Sequence, residues 1–143
     1  MLVKTRRSHV LGLVLVGVLV FTMACTKNPE ALQSGQLVNG ERVKRNTAEL
    51  IYHGALVDKA QNWADHLART STLRHSTLSA NVGPGWRILG ENVAKARTIE
   101  QAHSLLMNSN SHRSTLLNSR YTNIGVGVAE SGGWYYVVHV FGC

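Results

Sequence analysis

The chain has 143 residues, with 15 Lys and Arg against 8 Asp and Glu, a net charge of +7 with histidine neutral. That length suits one domain around one hydrophobic core, and two cysteines exclude a disulfide-built scaffold. The basic excess is scattered, and its densest cluster (Arg42, Lys44 and Arg45, beside Glu41 and Glu49) reads as a solvated helix face rather than a nucleic-acid site.

Residues 1–24 read as an address. Lys4, Arg6 and Arg7 give a positive start, and Val10 to Ala24 is an uncharged apolar run. The run is shorter than the roughly 20 residues of a membrane span and has the shape of an export signal. It ends at Phe21-Thr22-Met23-Ala24-Cys25-Thr26, which resembles the bacterial lipobox, with Thr22 where Leu is usual. The expectation is a lipoprotein-type signal over 1–24 and a lipid on Cys25, which ties the chain to a membrane. A plain cleaved signal and an uncleaved anchor are the alternatives, and all three export the domain. Without the signal, 12 basic residues face 8 acidic ones, a net +4. A lipid on Cys25 leaves Cys143 as a free thiol; a Cys25–Cys143 disulfide is the competing arrangement.

Residues 25–35 are polar, with Pro29 and Gly35, and read as a tether. Gln36 to Arg45 is expected to be a helix with a thin apolar stripe (Leu37, Val38, Val43). Leu56 to Thr70 is a stronger helix: Leu56, Ala60, Trp63, Ala64, Leu67 and Ala68 fall on one face, and Asp58, Lys59, Gln61, Asn62, Asp65 and Arg69 on the other. Ser71 to Gly90 is expected to be irregular, with a turn at Val82-Gly83-Pro84-Gly85. Thr98 is placed as an N-cap with Gln101 as its box partner, and a short helix follows from about Ser111 to Asn118. From Tyr121 the pattern changes to strand. Ile124, Val126 and Val128 alternate with Gly125, Gly127 and Ala129, and Ser131-Gly132-Gly133 turns the chain into Trp134 to Phe141. Helices first and strands last give an α+β domain closed by a C-terminal antiparallel hairpin.

Three stretches carry the chemistry: Leu73-Arg74-His75-Ser76, Gly85-Trp86-Arg87-Ile88-Leu89-Gly90-Glu91-Asn92-Val93-Ala94, and Ser109-Asn110-Ser111-His112-Arg113-Ser114-Thr115-Leu116-Leu117-Asn118. In order and spacing they resemble the bacterial branch of the CAP superfamily, which includes cysteine-rich secretory proteins, venom antigen 5 and plant pathogenesis-related class 1 proteins. The resemblance covers residues 36–142 and implies a three-layer α-β-α sandwich. It also implies that His75, Glu91 and His112 line one open cleft. Two neutral imidazoles, His75 and His112, with a nearby carboxylate suit zinc or another divalent metal, and they suit proton transfer near neutral pH. The alternative is that the histidines merely fix loops by hydrogen bonding, with Glu91 tying the loop to a backbone amide. Asn92 is expected to pin the Gly90-Glu91-Asn92 loop, and Gly90 to allow a backbone shape a larger residue would strain. Asn92 and His139 complete the candidate ligand-binding set, although a buried, hydrogen-bonded His139 is the more ordinary reading.

The departures from the family pattern limit the chemistry. Larger relatives carry a second Glu three residues after a helix Trp; here Leu106 and Ser109 stand at those positions. Asn110 and Ser111 replace the usual Pro and Gly before His112. His53, His66 and His103 read as surface, Arg113 as half of an ion pair or an anion holder, and Trp86 and Trp134 as packing residues. No Gly-x-Ser-x-Gly elbow, His-Glu-x-x-His motif or nucleophilic Cys is present. The leading expectation is therefore a non-enzymatic exported binding module for a divalent metal or small ligand, a lipid among the ligands the resemblance brings. A metal-dependent hydrolase of peptide or wall fragments, and a structural head docking an envelope or wall component, are the alternatives.

Overall fold

The computed structural model describes residues 28–143; the signal, the Cys25 lipid site and a Cys25 disulfide lie outside them. Four helices and four strands follow in order: α1 (Pro29–Val43), β1 (Ile51–Tyr52), α2 (Gly54–Thr70), β2 (Leu89–Ala96), α3 (Ile99–Asn108), α4 (Asn110–Leu116), β3 (Asn123–Ser131) and β4 (Trp134–Gly142). The strands form one sheet in the order β1-β3-β4-β2, with β1 parallel to β3 and the other two pairings antiparallel.

The α2 helix covers one face of the sheet. Its Leu56, Ala60, Ala64 and Leu67 pack with Tyr136, Val138 and Val140. The helix lies unusually close, because Gly125 and Gly127 put no side chain beneath it. A Cβ on Gly125 would sit 2.0 Å from the Leu56 carbonyl carbon, and one on Gly127 2.3 Å from that of Ala60. The opposite face carries α1, α3 and α4, whose Val38, Leu106 and Leu116 pack on Ile124, Val126, Val128, Val137 and Phe141. This is the expected three-layer α+β sandwich. The hairpin turns at Gly132 and Gly133, whose φ values of 60° and 73° suit the two-residue turn that matches strand twist.

Several local expectations change. The tether expected over 25–35 is helical from Pro29. Asn28 caps it, its side chain accepting from the amides of Glu30 and Ala31, and Pro29 is preset for a first turn. The Gly90-Glu91-Asn92 segment is a strand rather than a loop. Its residues are poor strand formers, but β2 pairs with β4 without a break from Leu89↔Gly142 to Ala96↔Tyr135. Thr98 caps α3 through the Gln101 amide, while the Gln101 side chain accepts from Arg97 N, one residue upstream of the box geometry.

The basic cluster also divides. Lys44 and Arg45 are exposed and pair with Glu41, but Arg42 is fully buried. Its guanidinium donates to the carbonyls of Ala48, Leu116, Asn118 and Tyr121 at 2.8–3.3 Å. Four hydrogen bonds from one planar fork thus tie α1 to the loop that follows it, to the end of α4 and to the segment after α4. Burial holds the Arg42 pKa below its ordinary value. Lys59, expected on the polar face of α2, is buried as well.

Candidate functional site

The site forms at the edge of the sheet, where β2 is the outermost strand among the described residues. Successive residues of a strand point to opposite faces. Glu91, paired with Val140, faces the α2 layer, and Asn92, paired with His139, faces the α3 and α4 layer. The two neighbours can therefore grip one element on each side of the edge.

On the α2 side the irregular segment after α2 is clamped by the helix. Ser71 caps α2 in a left-handed conformation, and Trp63 Nε1 donates to the Arg74 carbonyl at 3.0 Å. Lys59 Nζ donates to the carbonyls of Thr77 and Ala80 at 2.8 and 2.9 Å. Desolvation lowers the Lys59 pKa, and the nearby Glu91 charge opposes that effect. Glu91 completes the clamp. Its Oε1 accepts from His75 Nδ1 and from Ser76 N, both at 2.8 Å, and its Oε2 accepts from Ser76 Oγ at 2.5 Å. The His75 side chain is 58% exposed and that of Glu91 only 1%. Because a carboxylate only accepts, His75 Nδ1 carries the ring proton and Nε2 holds the lone pair.

On the other side Asn92 Nδ2 donates to the His112 carbonyl at 2.9 Å, fixing α4 against the strand. His112 Nδ1 and Ser109 Oγ are 2.8 Å apart. Ser109, at the position of the family's absent second acid, thus holds the second imidazole without a charge. Arg113 has no acidic partner among the described residues; it donates to the Met107 carbonyl and to Asn110 Oδ1. Burial, and next the charge of His75, lower the His112 pKa. The two rings are neighbours, with centroids 6.5 Å apart and planes 28° from parallel.

His75, Glu91, Asn92 and His112 therefore meet, in two roles. The imidazoles have Nδ1 engaged and no protein hydrogen bond at Nε2 among the described residues. Glu91 and Asn92 are the props behind them. His139 does not line the cleft: it is fully buried, its Nε2 2.8 Å from Ser34 Oγ, and desolvation takes its pKa down to about 3. Gly90 does not need a left-handed backbone, since its φ is not among the positive ones. It makes room instead, because a Cβ there would meet the Tyr121 hydroxyl at 2.3 Å. His103 is half-buried rather than at the surface, with its Nδ1 enclosed. Ser76, Ser109 and Lys59 were not legible as supports; Ser109 carries the one available signal, a residue with cap propensity three places before His112.

The donor set sets limits on a metal. No group of three His, Cys, Asp or Glu side chains among the described residues is placed to hold one, and Glu91 is turned into the loop. A three-ligand zinc site therefore does not fit. The donors left open on this edge are the two Nε2 atoms, on rings whose centroids stand 6.5 Å apart.

Comparison with known proteins is consistent with this frame. The chain is 33% identical over 107 residues to YkwD of Bacillus subtilis (strain 168), an alignment covering 68% of this chain and 41% of that protein. Among solved structures, an extracellular SCP-domain protein from Bacillus anthracis str. Ames superposes with TM-score 0.70 at 24% identity, over 80% of this chain and 40% of the other. An outer surface protein of Borrelia burgdorferi superposes with TM-score 0.73 at 18% identity, over 82% and 95%. The chain thus spans about 40% of the length of the two Bacillus proteins. The sequence model of the CAP, or cysteine-rich secretory protein, family matches residues 36–143, and the chain belongs to that family.

Proposed function

We propose that this chain is an exported binding domain whose His75 and His112 take a divalent cation, zinc being the best match, or a small polar ligand through their Nε2 atoms. The observation that carries the reading is the pairing of two imidazoles, each fixed at Nδ1, by Glu91 and by Ser109, and each without a partner at Nε2 among the described residues. Glu91, which only accepts, sets the His75 tautomer, and Ser109 orients the His112 ring, as the outer partners of metal-ligating histidines do. A bound cation would supply Lewis acidity. Hydrolysis is the weaker reading, because Glu91 spends its oxygens on three hydrogen bonds and is screened from the cleft. The leader and the extracellular and outer-surface placement of the two similar structures support export, with lipid on Cys25 as the proposed anchor.

Calorimetric titration of zinc into the Cys143→Ser protein, beside the same protein with His75→Ala and His112→Ala, tests the reading. Removing the thiol removes a competing zinc ligand. The expected result is one site of micromolar affinity that the double substitution abolishes. Equal binding in both proteins, or none in either, would overturn it.

A further inference from the structure

Four buried side-chain atoms have no hydrogen-bond partner among the described residues: Tyr52 Oη, Asn92 Oδ1, His103 Nδ1 and His139 Nδ1. Buried polar atoms of this kind are rare because leaving one unpaired away from water is costly. Two of the four belong together. Asn92 and His139 are directly opposed across β2 and β4, so their side chains leave the sheet on the same face about 5 Å apart at Cβ. Asn92 is 1% exposed and His139 0%. One orphan is an acceptor and the other a potential donor, and no direct bond joins them.

We propose that a single buried water bridges His139 Nδ1 and Asn92 Oδ1, and that His139 is thereby a positioning residue for His112. The donors and acceptors run in one direction. In this arrangement Ser34 Oγ–H is the donor to His139 Nε2, 2.8 Å away, and the proton of the neutral ring stands on Nδ1. Nδ1–H donates to the water, the water donates to Asn92 Oδ1, and Asn92 Nδ2–H donates to the His112 carbonyl. Each distance the structure provides along this chain is short, 2.8 Å at Ser34 and 2.9 Å at His112. A water with polar partners on both sides is the ordinary content of such a site. The chain links the buried layer under α1 to the first turn of α4. His139, set aside above as a cleft residue, acts on the cleft from behind.

The inference touches the proposed function only through His112, and its deciding readouts are taken without metal. In the metal-free 15N-labelled protein, the Asn92 side-chain amide should show a cross-peak to a long-lived water. It should persist in His139→Gln, which keeps a donor, and vanish in His139→Leu, which keeps volume but offers none. The His112 carbonyl and ring chemical shifts should match the wild type in His139→Gln and move in His139→Leu. Zinc affinity should then fall about tenfold in His139→Leu and stay within about twofold in His139→Gln. Absence of the water cross-peak in the wild type overturns the bridge, whatever the variants do. Unchanged His112 shifts in a folded His139→Leu overturn the positioning role. A wild type that shows the cross-peak yet binds no zinc would sink the proposed function and leave this inference standing.

Discussion

At the scale of single residues, the cleft depends on its props as much as on the groups they hold. Glu91 is the clearest. Glu91→Gln keeps the size but turns an amide donor toward His75 Nδ1 or Ser76, both of which donate to the carboxylate now. Loss of a charged acceptor that serves three donors should cost about 2 kcal/mol in stability and lower zinc affinity about 10- to 100-fold. Urea denaturation and calorimetry on the same preparation would measure the two; a full-strength zinc site in Glu91→Gln would show that the carboxylate does not orient His75. His139 makes a separate prediction about pH. Its pKa is about 3 in the fold and about 6.5 unfolded, so between these values the unfolded chain binds one more proton. Stability contributed by the neutral ring is complete above about pH 6.5 and falls as pH drops, by about 1.4 kcal/mol per unit. The lowered values of His103 and His112 act in the same direction. His139→Gln should flatten the slope between about pH 7 and 5; identical slopes would contradict the assignment. The sequence made the two cleft histidines legible because spacing and neighbours survive in the chain itself. It did not separate the ligand-like imidazoles from their supports, since which atom of Glu91 or Asn92 meets which partner depends on strand pairing.

At the scale of elements, two packing solutions stand out. The first is Arg42, which sutures α1 to the chain between α4 and β3. Arg42→Met should leave four carbonyls short of a donor and cost about 3 kcal/mol or more. Arg42→Lys should recover little of it, because an ammonium cannot span the positions a planar guanidinium reaches. Thermal denaturation of the pair decides the point, and a Lys variant as stable as the wild type would refute the fork geometry. The second is the Gly125/Gly127 pair beneath α2. Gly127→Ala would drive a methyl into the Ala60 backbone, and its expected cost is about 3 kcal/mol, the upper range of overpacking. The amphipathic α2 and the terminal hairpin were readable from periodicity alone, because each buries a regular face. β2 and the first half of α1 were not. Leu89–Ala96 is held by its neighbour rather than by strand propensity, and residues 29–35 show little apolar pattern. The burial of Arg42 and Lys59 was hidden for a related reason: hydropathy marks them as surface, and only the carbonyls gathered around them make burial tolerable.

At the scale of the whole molecule, the domain is a stable block with one working edge. Cores on both faces of the sheet fix β2, and β2 in turn aligns the loop bearing His75 with the helix bearing His112. Under the proposed export, that edge faces outside the cytoplasm. If Cys25 is lipidated, the chain made with its own leader should partition into the detergent phase of Triton X-114, and Cys25→Ser should move it to the aqueous phase; partition that ignores the substitution would contradict a lipid anchor. The central claim, that His75 and His112 jointly hold a divalent cation, is tested most directly by a crystal of the zinc-loaded Cys143→Ser protein measured at the zinc absorption edge. The predicted result is one strong anomalous peak about 2.0–2.1 Å from Nε2 of both rings, with Glu91 still bonded to His75 Nδ1. A peak that engages only one of the two rings, or a cleft with no peak in saturating zinc, would contradict it.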